Sequence, residues 1–229
     1  MAIEQYTLAT VNDLKSLVES LGWFDNVEMN PSSNGEVLCQ LDSYPNVDII
    51  RFAGATGSIQ AEYCNAFNTG ERTIKMSYSS SSNLRLIYAF KTKNGLLLTH
   101  TASTCKAQVL LGKTNNGDIA VCMSKSADDS SGFKFWAAAV GETDQYIGTN
   151  SRQITIGNST TASSEYPRNV WAGSPQITTC QIPTCPSSGT SFIKGALMLV
   201  TTNINSLGVV EIDGVQYATT GDLCLNDED

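Results

Sequence analysis

The chain is short of charge and almost without histidine. Of its 229 residues only 16% are Asp, Glu, Lys or Arg, and His100 is the sole imidazole. A helical bundle would be richer in Glu, Lys and Ala. Here Ser, Thr, Asn and Gly take their place, which points to β structure joined by polar, uncharged turns. Basic residues are scarcer still: 14 Lys and Arg stand against 22 Asp and Glu, a net charge of −8. Nucleic acid requires a basic footprint and anionic membranes attract basic clusters, so neither is an expected partner. Long apolar runs are missing as well. Gly195 to Val200 is far shorter than the roughly 20 residues that span a bilayer, so no membrane insertion is expected. Met1 to Tyr6 holds acidic Glu4 and neither a basic cluster nor an apolar core, unlike the opening of a secretory signal. Synthesis and folding in a reducing cytoplasm are the expectation.

Seven cysteines, an odd count, sit at irregular spacing: Cys39, Cys64, Cys105, Cys122, Cys180, Cys185 and Cys224. In a reducing compartment such thiols serve as small core hydrophobes. Cys180 and Cys185 have the look of half a zinc site. A structural zinc takes four ligands, and the chain supplies neither a second closely spaced Cys pair nor a second histidine, so no metal or other cofactor is expected.

One stretch imitates a phosphate-binding loop. Ala107 to Thr114 ends in Gly-Lys-Thr after four intervening residues. A phosphate loop needs converging backbone N–H groups and a following helix N-terminus. Gln108, Val109, Leu110 and Leu111 instead favour a strand. Asn115-Asn116-Gly117-Asp118 is a hairpin turn signal, and the apolar run Ile119-Ala120-Val121 follows. The segment predicts strand, turn, strand. Catalysis has no better foothold. His100 ends an apolar strand, no serine sits in a nucleophile elbow, and no carboxylate pair is set apart by its surroundings. An enzyme is not expected.

The apolar periodicity is helical only near the start. Thr10 is a candidate N-cap with Asp13 three residues on, Val11, Leu14, Leu17, Val18 and Leu21 follow helical spacing, and Gly22 is a natural stop. Trp23, Phe24 and Val27 then make an aromatic corner. Alternation or short apolar runs mark strands around residues 37–41, 47–52, 73–78, 84–90, 107–111, 119–123, 133–139, 192–202, 209–212, 215–218 and 222–225. Asn94-Gly95 and Asp213-Gly214 predict tight turns, and Gly195 a bend within its strand. Residues 141–175 are rich in Thr, Ser, Asn and Gly, with one β-like run at Gln153 to Ile156. Long irregular stretches in compact domains often bind or assemble, which makes Tyr146, Tyr166 and Trp171 the candidate contact residues.

The expected fold is mainly β: an antiparallel β-sandwich or barrel-like body with one short N-terminal α-helix. Its parts are a helix and aromatic turn over 1–30, the β body over 31–140, a long polar loop region over 141–175, and C-terminal β hairpins over 176–229.

Two ends of the chain bear a likeness to a known group. "TVNDLKSLVESLGWFDNVEM" is a capped helix closing on an aromatic turn, and "GVVEIDGVQYATTGDLCLNDED" is a tight hairpin followed by a terminal strand. With the Ser- and Thr-rich β middle, this layout resembles small virion structural proteins of tailed bacteriophages. The resemblance implies a non-enzymatic subunit of tail, baseplate, neck or capsid surface, a homo-oligomer that also contacts other virion proteins. Such subunits assemble in the host cytoplasm and reside in the virion. The alternative is a receptor- or carbohydrate-binding β domain, in which Tyr146, Tyr166 and Trp171 stack on a host glycan.

Overall fold

The computed structural model describes residues 3–8, 10–29, 36–43, 48–53, 60–63, 74–75, 87–101, 106–125, 134–140, 146–149, 153–156, 163–164, 168–170, 178–185, 191–199, 208–220 and 223–228. Strand β1 (Glu4–Leu8) leads into the helix α1 (Val11–Glu19). Five strands follow, β2 (Asn26–Met29), β3 (Glu36–Gln40), β4 (Asp48–Ala53), β5 (Gln60–Tyr63) and β6 (Ile74–Lys75). Next come β7 (Ile87–Thr92), β8 (Gly95–Thr101), β9 (Lys106–Lys113), β10 (Ile119–Lys125) and β11 (Lys134–Ala139). The chain continues with β12 (Tyr146–Thr149), β13 (Gln153–Ile156), β14 (Ser163–Ser164) and β15 (Arg168–Val170). It finishes with β16 (Thr178–Cys185), β17 (Ser191–Leu199), β18 (Gly208–Ile212), β19 (Val215–Thr219) and β20 (Leu223–Asn226).

The fold is mainly antiparallel β with a single helix among the described residues, as the composition predicts. The strands form three sheets. A nine-stranded sheet runs β1-β7-β8-β9-β10-β11-β12-β13-β14, a six-stranded sheet β15-β16-β17-β20-β19-β18, and a five-stranded sheet β2-β3-β4-β5-β6. From β7 to β14 the large sheet is a plain meander, each strand pairing with the next in sequence. β1 is the exception: it returns across all of β2–β6 to pair with β7, Leu8 against Ile87 and Glu4 against Lys91.

The helix forms where local chemistry dictates it. Asp13 N–H donates to the Thr10 hydroxyl at 3.2 Å and Thr10 N–H to the Asp13 carboxylate at 2.8 Å, a reciprocal capping box. Leu14, Leu17 and Val18 are buried, while the Lys15–Glu19 pair lies on the outer side. Ser20 is the C-cap, and Gly22, at φ +63°, is two residues beyond it rather than one.

An antiparallel sheet commonly keeps one face in water. The centre of this one does not. Leu96, Leu97 and Leu98 are consecutive and all fully buried, which requires cover on both sides. Leu96, Leu98, Val109, Leu111 and Val121 pack with Leu14, Leu17 and Val18 of α1 and with Val37 and Cys39 of β3. On the opposite face Phe90, Leu97, Leu110, Cys122 and Ala137 lie in one cross-strand row. That row packs with Ile182, Ile193, Ala196, Met198, Leu223 and Leu225 of the six-stranded sheet. Burying a Leu stabilises by about 1.5–3 kcal/mol, so this two-sided core is where the stability resides. The buried thiols Cys39 and Cys122 sit on opposite faces within it, and Cys224 lies in a third cluster with Ile212.

The described part of 141–175 departs from expectation. Beside the expected run at Gln153–Ile156, which is β13, it forms β12 and β14 at the end of the nine-stranded sheet and β15 at the edge of the six-stranded one. The reason is non-local. Tyr146-Ile147-Gly148-Thr149 has little apolar pattern of its own, but Ala137 and Trp136 offer it a ready ladder, and Ile154 and Thr155 extend that ladder to Ser164 and Ser163.

Candidate functional site

Of the three candidate contact residues singled out from sequence, only Tyr146 lies among the described residues. Tyr146 opens β12, its backbone paired with Ala137 and Ile156. Tyr166 and Trp171 fall outside the described residues. His100 pairs with Ile87 and Ala107 near the end of β8. Cys180 and Cys185 both lie on β16, opposite Met198 and Ser191.

The Gly-Lys-Thr stretch is strand and turn. Gly112 is buried in β9, and a Cβ on it would stand 2.5 Å from the Ile193 side chain, so its role is to let two sheets approach. Lys113 extends over the Trp23 ring, 5.1 Å from its centre, a cation–π contact with the corner that follows α1. The Thr114 hydroxyl accepts from the N–H groups of Asn116 and Asp118 at 3.2 and 3.1 Å and shapes the turn from within.

What sequence reasoning missed is a set of polar pins between the nine- and six-stranded sheets. Asn94 Nδ2 donates to the Asn226 carbonyl at 3.1 Å, to Asn226 Oδ1 at 2.8 Å and to the Glu228 carbonyl at 2.8 Å. Gln108 Oε1 accepts from the Thr220 hydroxyl at 2.6 Å and from Leu223 N–H at 3.0 Å. Asn115 N–H donates to the Phe192 carbonyl and Phe192 N–H to Asn115 Oδ1, each at 3.0 Å. Asn94, Gln108, Thr220 and Asn226 are buried, where an unmade hydrogen bond is costly. Nothing local in the sequence distinguishes these residues from surface amides.

Two open clefts flank this assembly. One, of about 370 Å³, is lined by Asn115, Phe192, Lys194, Gly195, Asn226 and Glu228. The other, of about 350 Å³, lies between β1 and α1, where Lys91 Nζ donates to the Ser20 hydroxyl at 2.9 Å. The first carries the titratable side chains Lys194 and Glu228, the second Tyr6, Asp13 and Lys91. Tyr6, beside the second cleft, has its phenol pKa raised, chiefly by its hydrogen bond to Glu4 and then by burial. Burial also raises Tyr217, against an opposing hydrogen bond with Asn226. Among the described residues no group of three or more His, Cys, Asp or Glu is placed to hold a metal, and no helix is long and apolar enough to cross a membrane.

No protein-family model, curated protein or solved structure matches the chain. The site therefore has to be read from its own surfaces. Among the described strands, the sheets end at β1, β14, β15, β18, β2 and β6. At one of them, β18, stands Val209, 52% exposed and the only exposed large hydrophobic among the described residues.

Proposed function

We propose that the protein is a non-enzymatic structural subunit of a tailed-bacteriophage particle, in the tail or baseplate, the neck or the capsid surface. It acts through contacts with copies of itself and with other virion proteins. The observation that carries a mechanical rather than a chemical role is how buried polarity is used. Where burial is described, the buried Asn, Gln, Ser and Thr side chains are amides and hydroxyls, and no Asp, Glu, Lys, Arg or His is among the fully buried residues. Active sites concentrate buried, perturbed acids and bases. Here the buried amides Asn94 and Gln108 join one sheet to another. The phage assignment rests on the layout resemblance of the two chain ends, which in the fold are α1 with β2 and the β18–β19–β20 unit.

The test is cross-linking mass spectrometry on purified particles, with the isolated chain run on a glycan array in parallel. Cross-links from this chain to other virion proteins are expected. Absence from purified particles would overturn the reading. Glycan binding together with that absence would replace it by the receptor- or carbohydrate-binding alternative.

A further inference from the structure

Sheet edges are templates for further strands, and proteins blunt them with charge, proline, short length or a covering element. Five of the six edges here are blunted more than the sixth. β6 and β14 are two residues long, and β6 carries Lys75. β15 has three residues and begins with Arg168. β1 and β2 lie beside α1 and carry the exposed charges Glu4 and Glu28. β18, Gly208-Val209-Val210-Glu211-Ile212, is blunted least among the described edges: it has five residues, no basic residue, no proline and a single charge, Glu211, beside an exposed valine.

The register of its hairpin fixes which backbone groups face outward. Ile212 pairs with Val215 across the two-residue turn Asp213-Gly214, and Val210 with Tyr217. The pair closing such a turn exchanges both hydrogen bonds, and so does every second pair. Val210 and Ile212 are therefore spent on β19, and the N–H and C=O groups of Val209 and Glu211 point to the free edge. We propose that β18 is a self-association edge: two copies pair β18 with β18, antiparallel, about a two-fold axis at Val210. Resting on the structural reading above, this names the partner as a second copy.

The strand is its own complement in that register. Val209 of one copy faces Glu211 of the other, twice, so all four outward N–H and C=O groups of each copy are satisfied, and the two glutamates do not stand directly opposite. The two Val210 residues form the close, non-hydrogen-bonded pair. They extend the apolar cluster of Ile212, Cys224, Leu197, Val210 and Tyr217 from one copy into the next. Val209, in the cross-strand row of Ala218, Leu225 and Ala196, gains cover from the aliphatic part of the opposing Glu211. The contact is small, below the roughly 1,200 Å² of a standard interface, which places the isolated dimer among weak associations that repetition in a particle reinforces.

Sedimentation velocity on the full chain over a concentration series tests the register. Val209→Glu sets carboxylates against Glu211 at both positions and should raise the dimer dissociation constant about tenfold. Val209→Lys sets ammonium groups there and should leave the dimer as tight as wild type or tighter. Val209→Pro removes only an outward N–H, so it should abolish the dimer while the melting temperature holds. A wild-type chain monomeric at its highest soluble concentration, or a dimer indifferent to all three substitutions, would overturn the proposal. So would equal weakening by Glu and Lys. Each of those outcomes leaves the particle test untouched, and absence from particles leaves the dimer untouched.

Discussion

Two tight turns in this chain carry the same signal, a polar residue followed by glycine, and the fold uses them in opposite ways. At Asp213-Gly214 both residues take positive φ, 51° and 79°, and a Cβ on Gly214 would meet nothing within 4 Å. This is the exposed turn of the β18–β19 hairpin, with backbone conformation its one requirement. At Asn94-Gly95 the loop residues are Lys93 and Asn94, because Thr92 pairs with Gly95. Gly95 is already in the strand, at φ +151°, and a Cβ on it would stand 2.0 Å from the Leu111 carbonyl oxygen. Asn94 is turned inward as the pin to Asn226 and Glu228. Closely similar local codes thus make a free-standing turn in one place and a packed joint in the other. The difference lies in what the rest of the chain brings to it.

Substitutions can break that contrast. Gly95→Ala should have the largest effect, about 4 kcal/mol or more, because backbone must move to admit the methyl group. Chemical denaturation measures it, and a loss near 1 kcal/mol would show the joint to be loose. Asn94→Ala should cost about 1–3 kcal/mol by stranding buried acceptors on Asn226. Hydrogen exchange should show faster opening of β20 in that variant before any change at β10. Gly214→Ala should cost only about 1 kcal/mol, the strain of an alanine at positive φ with no clash added. If its penalty equals that of Gly95→Ala, the two turns are not different in kind.

The smallest effect is a matter of pH. The Tyr217 phenol has its pKa raised above 10.0 by burial. A raised folded value means the folded state holds its proton longer. Stability from this group is intact below pH 10 and declines as pH rises through 10 towards the folded value. Tyr217→Phe should flatten that alkaline decline, read from denaturation midpoints between about pH 8 and pH 11.

How much of this was legible beforehand follows the range of the interactions. The helix was readable because Thr10 and Asp13 cap it within four residues. The Asp213-Gly214 hairpin was readable for the same reason. The Gly-Lys-Thr stretch could be placed as strand and turn from its own residues. The strands β12, β14 and β15 could not, since a neighbour's ladder makes them strands. Nor could the pins, since Gln108 and Thr220 meet only once two sheets have packed. Val209 posed a different problem: its strand was legible from the residues, and only the sheet order shows it at an edge.

The return of β1 to β7 has a kinetic consequence. β7 to β14 can zip up hairpin by hairpin, each step closing a short loop. β1 cannot join until everything between Leu8 and Ile87 has been gathered in, and the entropy of that closure is lost before a single rung forms. The first strand in the sequence is thereby a late arrival in the sheet. During refolding its amides should gain protection after those of β8 and β9, and in the native protein they should be the first of that sheet to exchange.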